Sequence, residues 1–378
     1  MSSRPRLAVV AAARPNFMKV APVMQALKAW IDLDLIHTGQ HYDRAMSSAF
    51  FEELDLFEPD VNLGVGSGSH AVQTAGVMVA LEKRLTEVPV DALLVVGDVN
   101  STLASALTAA KMGIPVAHVE AGLRSRDWSM PEEINRVLTD RLSTWLFTPS
   151  SDADANLVAE GIPLGQIHLV GNVMIDTLLA HLPRARRRAE ALQASLGLEA
   201  DYALLTLHRP SNVDDRSTLS EMMEAISQVS KRLPVVFPMH PRTETRMREL
   251  DIRLPDRVLR AEPFGYTDFL ALMQQARLVL TDSGGIQEET SVLGVPCVTL
   301  RDSTERPITC TLGTNIVAGT RAEDIVAASL VAIDKSWEPA DIPLWDGRAS
   351  ERVAAVLVDS LLGANQQLKE MKMAGEVV

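Results

Sequence analysis

The chain has 378 residues, 47% hydrophobic and 22% charged, with a formal net charge of −13. That length exceeds one ordinary core and points to two globular domains of roughly 150–200 residues. The acidic balance offers no basic surplus for a nucleic-acid backbone, so an anionic ligand is expected to be small and held by a few local cations. No apolar run reaches membrane-spanning length, and Met1-Ser2-Ser3-Arg4-Pro5 lacks a signal peptide's apolar core. Two cysteines, Cys297 and Cys310, stand without histidine partners and give no zinc pattern. The expectation is a cytoplasmic protein with reduced thiols and no membrane partner.

The first half alternates short apolar runs with longer amphipathic segments. Strands are predicted at Leu7 to Ala11, Leu33 to His37, Ala92 to Val96, Val116 to Val119, Trp145 to Phe147 and near Ile167 to Val170. Helices are predicted at Val20 to Trp30, Val72 to Leu85, Thr102 to Met112 and Glu132 to Leu142. Continuous apolar strands separated by helices of this length indicate a parallel sheet covered on both faces. The pattern restarts with a helix at Leu182 to Leu198, whose basic run Arg184 to Arg188 reads as a solvated face. Strands follow at Ala203 to Leu207, Val235 to Pro238, Val258 to Leu259, Leu278 to Leu280 and Cys297 to Thr299, and a last helix at Ser350 to Met373. The reading is α/β, with two doubly wound Rossmann-like domains, residues 1–171 and 172–349, facing a central cleft. Ligands of such sheets bind beyond the carboxyl ends of the strands.

Polar residues collect at those strand ends. Arg14-Pro15-Asn16-Phe17-Met18-Lys19 follows the first strand, and Gly97-Asp98-Val99-Asn100 the third. Asp98 stands where an N-cap is the usual structural duty of an Asp. Glu120 directly ends an apolar strand, where burial penalises its charge. Pro131-Glu132-Glu133 opens a helix in the manner that complements a helix dipole. In the second half His208-Arg209 and His240-Pro241-Arg242 each end a strand, and Arg306 follows another. Asp282-Ser283-Gly284-Gly285 turns a strand into a helix, leaving first-turn N–H groups unpaired for an anion. Glu289 lies one turn further, a candidate acceptor for sugar hydroxyls. Carboxylates thus come from the first half and anion-binding features from the second.

These stretches resemble the non-hydrolysing UDP-N-acetylglucosamine 2-epimerases over essentially the whole chain. The matching segments are Arg14-Pro15 with Lys19, Gly97-Asp98, His118 to Arg124, Pro131 to Arg136, Gly171-Asn172, His208-Arg209, Asp282 to Glu289 and Thr304 to Pro307. The resemblance implies a GT-B type fold whose C-terminal helix crosses back to the N-terminal domain, at about residues 350–378. It implies a UDP-sugar substrate, no NAD or metal, and a homodimer. It implies C2 epimerisation through loss of UDP, a 2-acetamidoglucal, and re-addition of UDP.

By the same resemblance Asp98, Glu120, Glu132 and His208 are the catalytic residues. Arg14, Lys19, Arg209, His240, Ser283, Gly284, Gly285, Glu289 and Arg306 would bind substrate. Some members carry a second nucleotide-sugar site built partly from motifs matching Gln40-His41, Gln73, Arg209 and His240. Departures are also visible. His208-Arg209-Pro210-Ser211-Asn212 replaces the common His-Arg-Arg-Glu-Asn, and the segment from Gly122 to Pro131 is short. The rival readings are an epimerase of a modified UDP-sugar such as a diacetamido-uronic acid, with Arg126 or Arg306 facing C6, a hydrolysing epimerase, and a GT-B glycosyltransferase.

Overall fold

The computed structural model describes residues 4–39, 58–198 and 201–373, apart from the side chains of Arg14 and of residues 364–373. The chain divides into two compact units, residues 1–177 with 343–378, and residues 178–342.

In the first unit, strands β1 (Arg6–Ala11), β2 (Asp32–His37), β3 (Val61–Asn62), β4 (Ala92–Val96), β5 (Val116–Val119), β6 (Trp145–Thr148) and β7 (Ile167–Leu169) form one sheet. Its order is β3-β2-β1-β4-β5-β6-β7, and every described pairing is parallel. The crossovers include α1 (Arg14–Leu27), α2 (His70–Glu87), α3 (Asn100–Lys111), α4 (Pro131–Leu142) and α5 (Ser151–Ala159), followed by α6 (Val173–Ser195). Because β1, β4 and β5 are covered on both faces, they do not alternate: β4 and β1 after Arg6 are unbroken apolar runs, and β5 is interrupted only by the buried His118. One face packs Leu7, Val9, Leu94 and Val119 under Val20, Met24 and Leu27 of α1. The other packs Ala8, Leu93 and Val95 under Leu81 and Leu85 of α2.

The second unit repeats the arrangement with β8 (Ala203–Thr206), β9 (Val235–Pro238), β10 (Val258–Ala261), β11 (Leu278–Thr281), β12 (Cys297–Thr299) and β13 (Asn315–Val317), ordered β10-β9-β8-β11-β12-β13. Helices α7 (Arg216–Ser230), α8 (Pro241–Glu249), α9 (Tyr266–Met273), α10 (Gly284–Leu293) and α11 (Ala322–Asp334) cover it. The last helix, α12 (Ala349–Met373), belongs to the first unit, where Ala349, Val353, Leu357 and Leu361 join the α1 side of the core. Asp176 of α6 caps its start by accepting from the Ala349 and Ser350 N–H groups at 3.1 and 2.7 Å.

Three sequence expectations need correction. The first helix starts at Arg14 rather than Val20, because Pro15 fits a first turn and Asn16 Oδ1 accepts the Ala12 and Ala13 N–H groups. The helix expected from Leu182 already begins at Val173, where Asn172 accepts the Met174 N–H, and it runs through Pro183. Strands β3 and β13, of two and three residues, were not foreseen.

Gly171 has φ of +88°, and an added Cβ would overlap the Leu344 carbonyl. Gly171→Ala is expected to cost roughly 2–4 kcal/mol, from the strained backbone and the displaced carbonyl together. Urea unfolding should report it, and an unchanged midpoint would contradict the packing described.

Candidate active site

Each sheet reverses its strand order once, between β1 and β4 and between β8 and β11. Such a point opens a crevice at the C-terminal strand ends. In the first unit β4 runs into Gly97-Asp98 and β5 into Glu120. Glu120 has φ of +72°, a left-handed backbone that residues other than glycine rarely adopt. Its N–H and that of Ala121 both donate to the Phe147 carbonyl, at 3.1 and 3.0 Å. The buried carboxylate is ion-paired with Lys19, which α1 delivers from its second turn. Gly97 adjoins this pair, and its φ of +72° is a left-handed turn that favours glycine.

Asp98 does not cap α3, whose N-cap is Val99 with no side-chain bond. Its carboxylate lies 2.5 Å from Arg136 of α4 instead. Asn135 donates to the Asp98 carbonyl at 2.9 Å, so two successive residues of α4 hold this turn. Glu132 is half-buried on the first turn of α4, and among the described residues its carboxylate makes no hydrogen bond or ion pair within the protein. The next residue, Glu133, is the structural acid. It is buried and accepts the Ser125 and Arg126 N–H groups at 2.9 and 2.8 Å, and Arg136 at 2.8 Å.

In the second unit the turn Asp282-Ser283-Gly284-Gly285 joins β11 to α10. The first-turn N–H groups of Gly284 and Gly285 have no acceptor one turn earlier in the helix, and the helix dipole favours an anion there. Asp282 is fully buried beneath the neighbouring loop. It accepts the His208 and Arg209 N–H groups at 2.9 and 2.8 Å, and His208 Nδ1 stands 2.8 Å from its other oxygen. Burial alone would raise the Asp282 carboxyl, but bonding and charge from His208 and the loop N–H groups hold it below the usual range. The His208 ring is about half exposed, so a carboxylate backs an imidazole that reaches solvent. Arg209 Nε donates to the Asp282 carbonyl at 2.9 Å.

Two expected ligand residues are buried and already engaged within the second unit. Arg306 is buried between Glu288, at 2.8 Å, and Glu305, and an added Cβ on Gly284 would collide with that guanidinium. Glu289 is buried and accepts the Tyr266 hydroxyl at 2.7 Å. Burial raises its carboxyl to about 7, the Tyr266 bond pulls down and nearby Glu288 pushes up. His240 caps α8, its Nδ1 accepting the Arg242 N–H at 3.2 Å. The Arg14 side chain, Gln40 and His41 lie outside the described residues.

The structure therefore brings Asp98, Glu120, Glu132 and Lys19 to one edge of the first sheet. It brings His208, Arg209, Ser283, Gly284 and Gly285 to one edge of the second. Sequence reasoning gave Arg136, Asp140 and Tyr266 no individual part. The first two were visible as residues four and eight positions after Glu132, on one helical face; Tyr266 had no local signal.

Residues 25–358 match the family model described as UDP-N-acetylglucosamine 2-epimerase. The chain belongs to that family. Its members are isomerases. The UDP-N-acetylglucosamine 2-epimerase of Methanocaldococcus jannaschii is 42% identical, covering 93% of this chain and 98% of the relative. The Pseudomonas aeruginosa UDP-2,3-diacetamido-2,3-dideoxy-D-glucuronate 2-epimerase is 38% identical, covering 93% and 99%. The crystal structure of the M. jannaschii epimerase in complex with UDP-GlcNAc and UDP aligns with a TM-score of 0.86 over 93% of this chain and 99% of its own. The epimerase structure from Rickettsia bellii aligns with 0.87 over 96% and 99%, at 28% identity. The fold class is the expected one, two parallel-sheet α/β domains of the GT-B type. No helix among the described residues of this family member is long and apolar enough to cross a membrane.

Glu289 gives the second unit a pH signature. The folded form binds the proton more tightly than an unfolded chain with a value of 4.5. Stability from this group is full below pH 4.5 and is lost as pH rises to about 7, by roughly 3 kcal/mol at most. Glu289→Gln should abolish this slope in unfolding measured at pH 5 and 7.5. An equal slope in both proteins would count against the burial described.

Proposed function

We propose that the chain catalyses reversible C2 epimerisation of UDP-GlcNAc to UDP-ManNAc, without net hydrolysis. The observation that carries this reading is the gathering of Asp98, Glu120 and Glu132 at one sheet edge, two of them held by Arg136 and Lys19. Support for the substrate comes from the 42% identical relative whose structure holds UDP-GlcNAc and UDP.

The C2 hydrogen is not adjacent to a carbonyl and is weakly acidic. Departure of UDP from C1 builds positive charge on the ring, which acidifies C2–H, while carboxylates stabilise that charge. One base removes the proton, the C1–O bond breaks, and UDP leaves a 2-acetamidoglucal. A proton is then delivered to the opposite face of C2 and UDP re-adds at C1, so the sum of atoms is unchanged. Two-faced proton transfer needs more than one acid–base group, which a cluster of three carboxyls supplies. In this reading the first turn of α10 takes the diphosphate, His208 and Arg14 stabilise it as it departs, and Glu289 receives the ribose hydroxyls. Neither NAD nor a metal has a part in these steps.

A modified UDP-sugar is the second reading, favoured by the 38% identical diacetamido-glucuronate relative. A C6 carboxylate would need a cation. Arg306 is engaged with two glutamates, which leaves Arg126, at φ of +61° and bonded to Asn156 at 2.9 Å, as the candidate.

In deuterated water the protein should convert UDP-GlcNAc to a manno product with deuterium at C2, followed by NMR. Free ManNAc would indicate hydrolysis instead. Asp98→Asn, Glu120→Gln and Glu132→Gln should each lower turnover about 10²-fold or more. Near-normal turnover in all three would overturn the assignment.

A further inference from the structure

Helix α4 carries Glu132, Arg136 and Asp140 four residues apart, on one face. Glu132 is one of the three carboxylates and Arg136 pairs with the second, Asp98. Asp140, two turns on from Glu132, is buried and reaches the loop that carries the third. Its Oδ1 lies 2.6 Å from His118 Nδ1, and its Oδ2 accepts the Gly122 N–H at 3.1 Å and lies 2.8 Å from Arg124. His118 and Gly122 stand two residues either side of Glu120. Arg124 is held in turn by Glu160 through two bonds of 2.8 Å.

The same imidazole reaches the Asp98 turn. His118 Nε2 is 2.9 Å from the carbonyl of Gly97. Each ring nitrogen faces an oxygen, one on α4 and one on the turn before Asp98. Burial alone would raise the Asp140 carboxyl, but the bonds and charges of His118 and Arg124 hold it below its usual value. One buried carboxylate thereby fixes both flanks of Glu120 and, through His118, the residue before Asp98.

We propose that Asp140 is a positioning residue for the epimerisation, acting with His118 to lock Asp98 and Glu120 in register with Glu132. It touches no substrate. The need for such a device follows from Glu120, whose left-handed backbone is strained and persists only where its surroundings over-determine it. Without the Gly122 and His118 contacts, the turn would relax and move a carboxylate that must meet a particular face of C2. The inference rests on the epimerase reading above.

The test compares Asp140→Asn and His118→Gln with wild type, alone and each combined with Glu120→Gln, by NMR turnover and UDP titration. A misplacement near 1 Å costs up to about 10²-fold in rate. We expect kcat to fall about 10²-fold for Asp140→Asn and about tenfold for His118→Gln, with KM and UDP affinity within about threefold of wild type. Adding either change to Glu120→Gln should lower turnover by clearly less than the product of the single losses, because the part of the effect that passes through Glu120 is already gone. Multiplying losses in the double variants, or a raised KM with kcat kept, would overturn the proposal. Should Asp140→Asn fail to fold, His118→Gln decides alone, since it leaves the Asp140 contacts to Gly122 and Arg124 in place. A wild type that exchanges no C2 hydrogen defeats the functional reading itself. A wild type that exchanges beside variants of normal kcat defeats only the positioning role.

Discussion

A carboxylate at the end of a buried parallel strand carries two costs at once. Its charge loses water, and the chain must turn sharply to leave the sheet. Glu120 bears both, being nearly inaccessible and left-handed in backbone. The neighbouring residues of the first unit answer them separately. Lys19 answers the charge, and Asn16 holds the start of the helix that brings Lys19 by bonding the carbonyl that ends β4 at 3.2 Å. The Phe147 carbonyl and Asp140 answer the backbone, one from the adjacent strand and one from α4. Breaking a buried pair by removing one partner costs far more than the pair contributes. Lys19 is therefore a condition for the carboxylate's presence.

The second unit solves a related problem with the signs exchanged. A helix N-terminus opened by two glycines suits an anion, but an anion's approach requires that nothing acidic stand in front. Asp282 is kept below the turn, where its charge is taken up by loop N–H groups and His208. Glu288 and Glu305 are tied to Arg306 beneath Gly284. The missing side chain at Gly284 thus serves two purposes, backbone access above and room for a guanidinium below. Ser-Gly-Gly by itself displays only the first of these.

Much of the framework was legible because doubly covered strands are written as plain apolar runs. β1, β4, β5, β8 and β11 lie where such runs end in polar clusters. The short strands β3 and β13 pair along one side only and are too brief to leave a pattern. The start of α1 was hidden because Arg14-Pro15-Asn16 has the composition of a turn. The part played by Asn16 depends on Val96, eighty residues away. Asp98 and Glu133 illustrate the same limit. Both stand where local rules favour helix capping, yet Asp98 pairs across to α4 while Glu133 holds the 125–126 loop. Local sequence shows that a carboxylate is present; only the tertiary partner shows which task it performs. The Tyr266–Glu289 bond is another such long-range fact.

The pairing of Asp98 and Glu120 also bears on how an acidic site could accept an anionic substrate. Two unit charges about 6 Å apart, at an effective dielectric near 20, repel by roughly 3 kcal/mol. Three bare carboxylates at one sheet edge would therefore repel one another and any anionic substrate that the proposed reaction brings to them. Lys19 offsets the Glu120 charge, and Arg136, which also serves Glu133, offsets part of the Asp98 charge, while the oxygens stay in place. Simple electroneutrality would also be met by replacing these acids with amides, but amides cannot take and return protons. The ion pairs thus reconcile two demands of the proposed reaction, tolerance of a departing anion and possession of several exchangeable proton sites. A chain with a net charge of −13 meets this need locally, Lys19 facing Glu120 and Arg136 shared between Asp98 and Glu133.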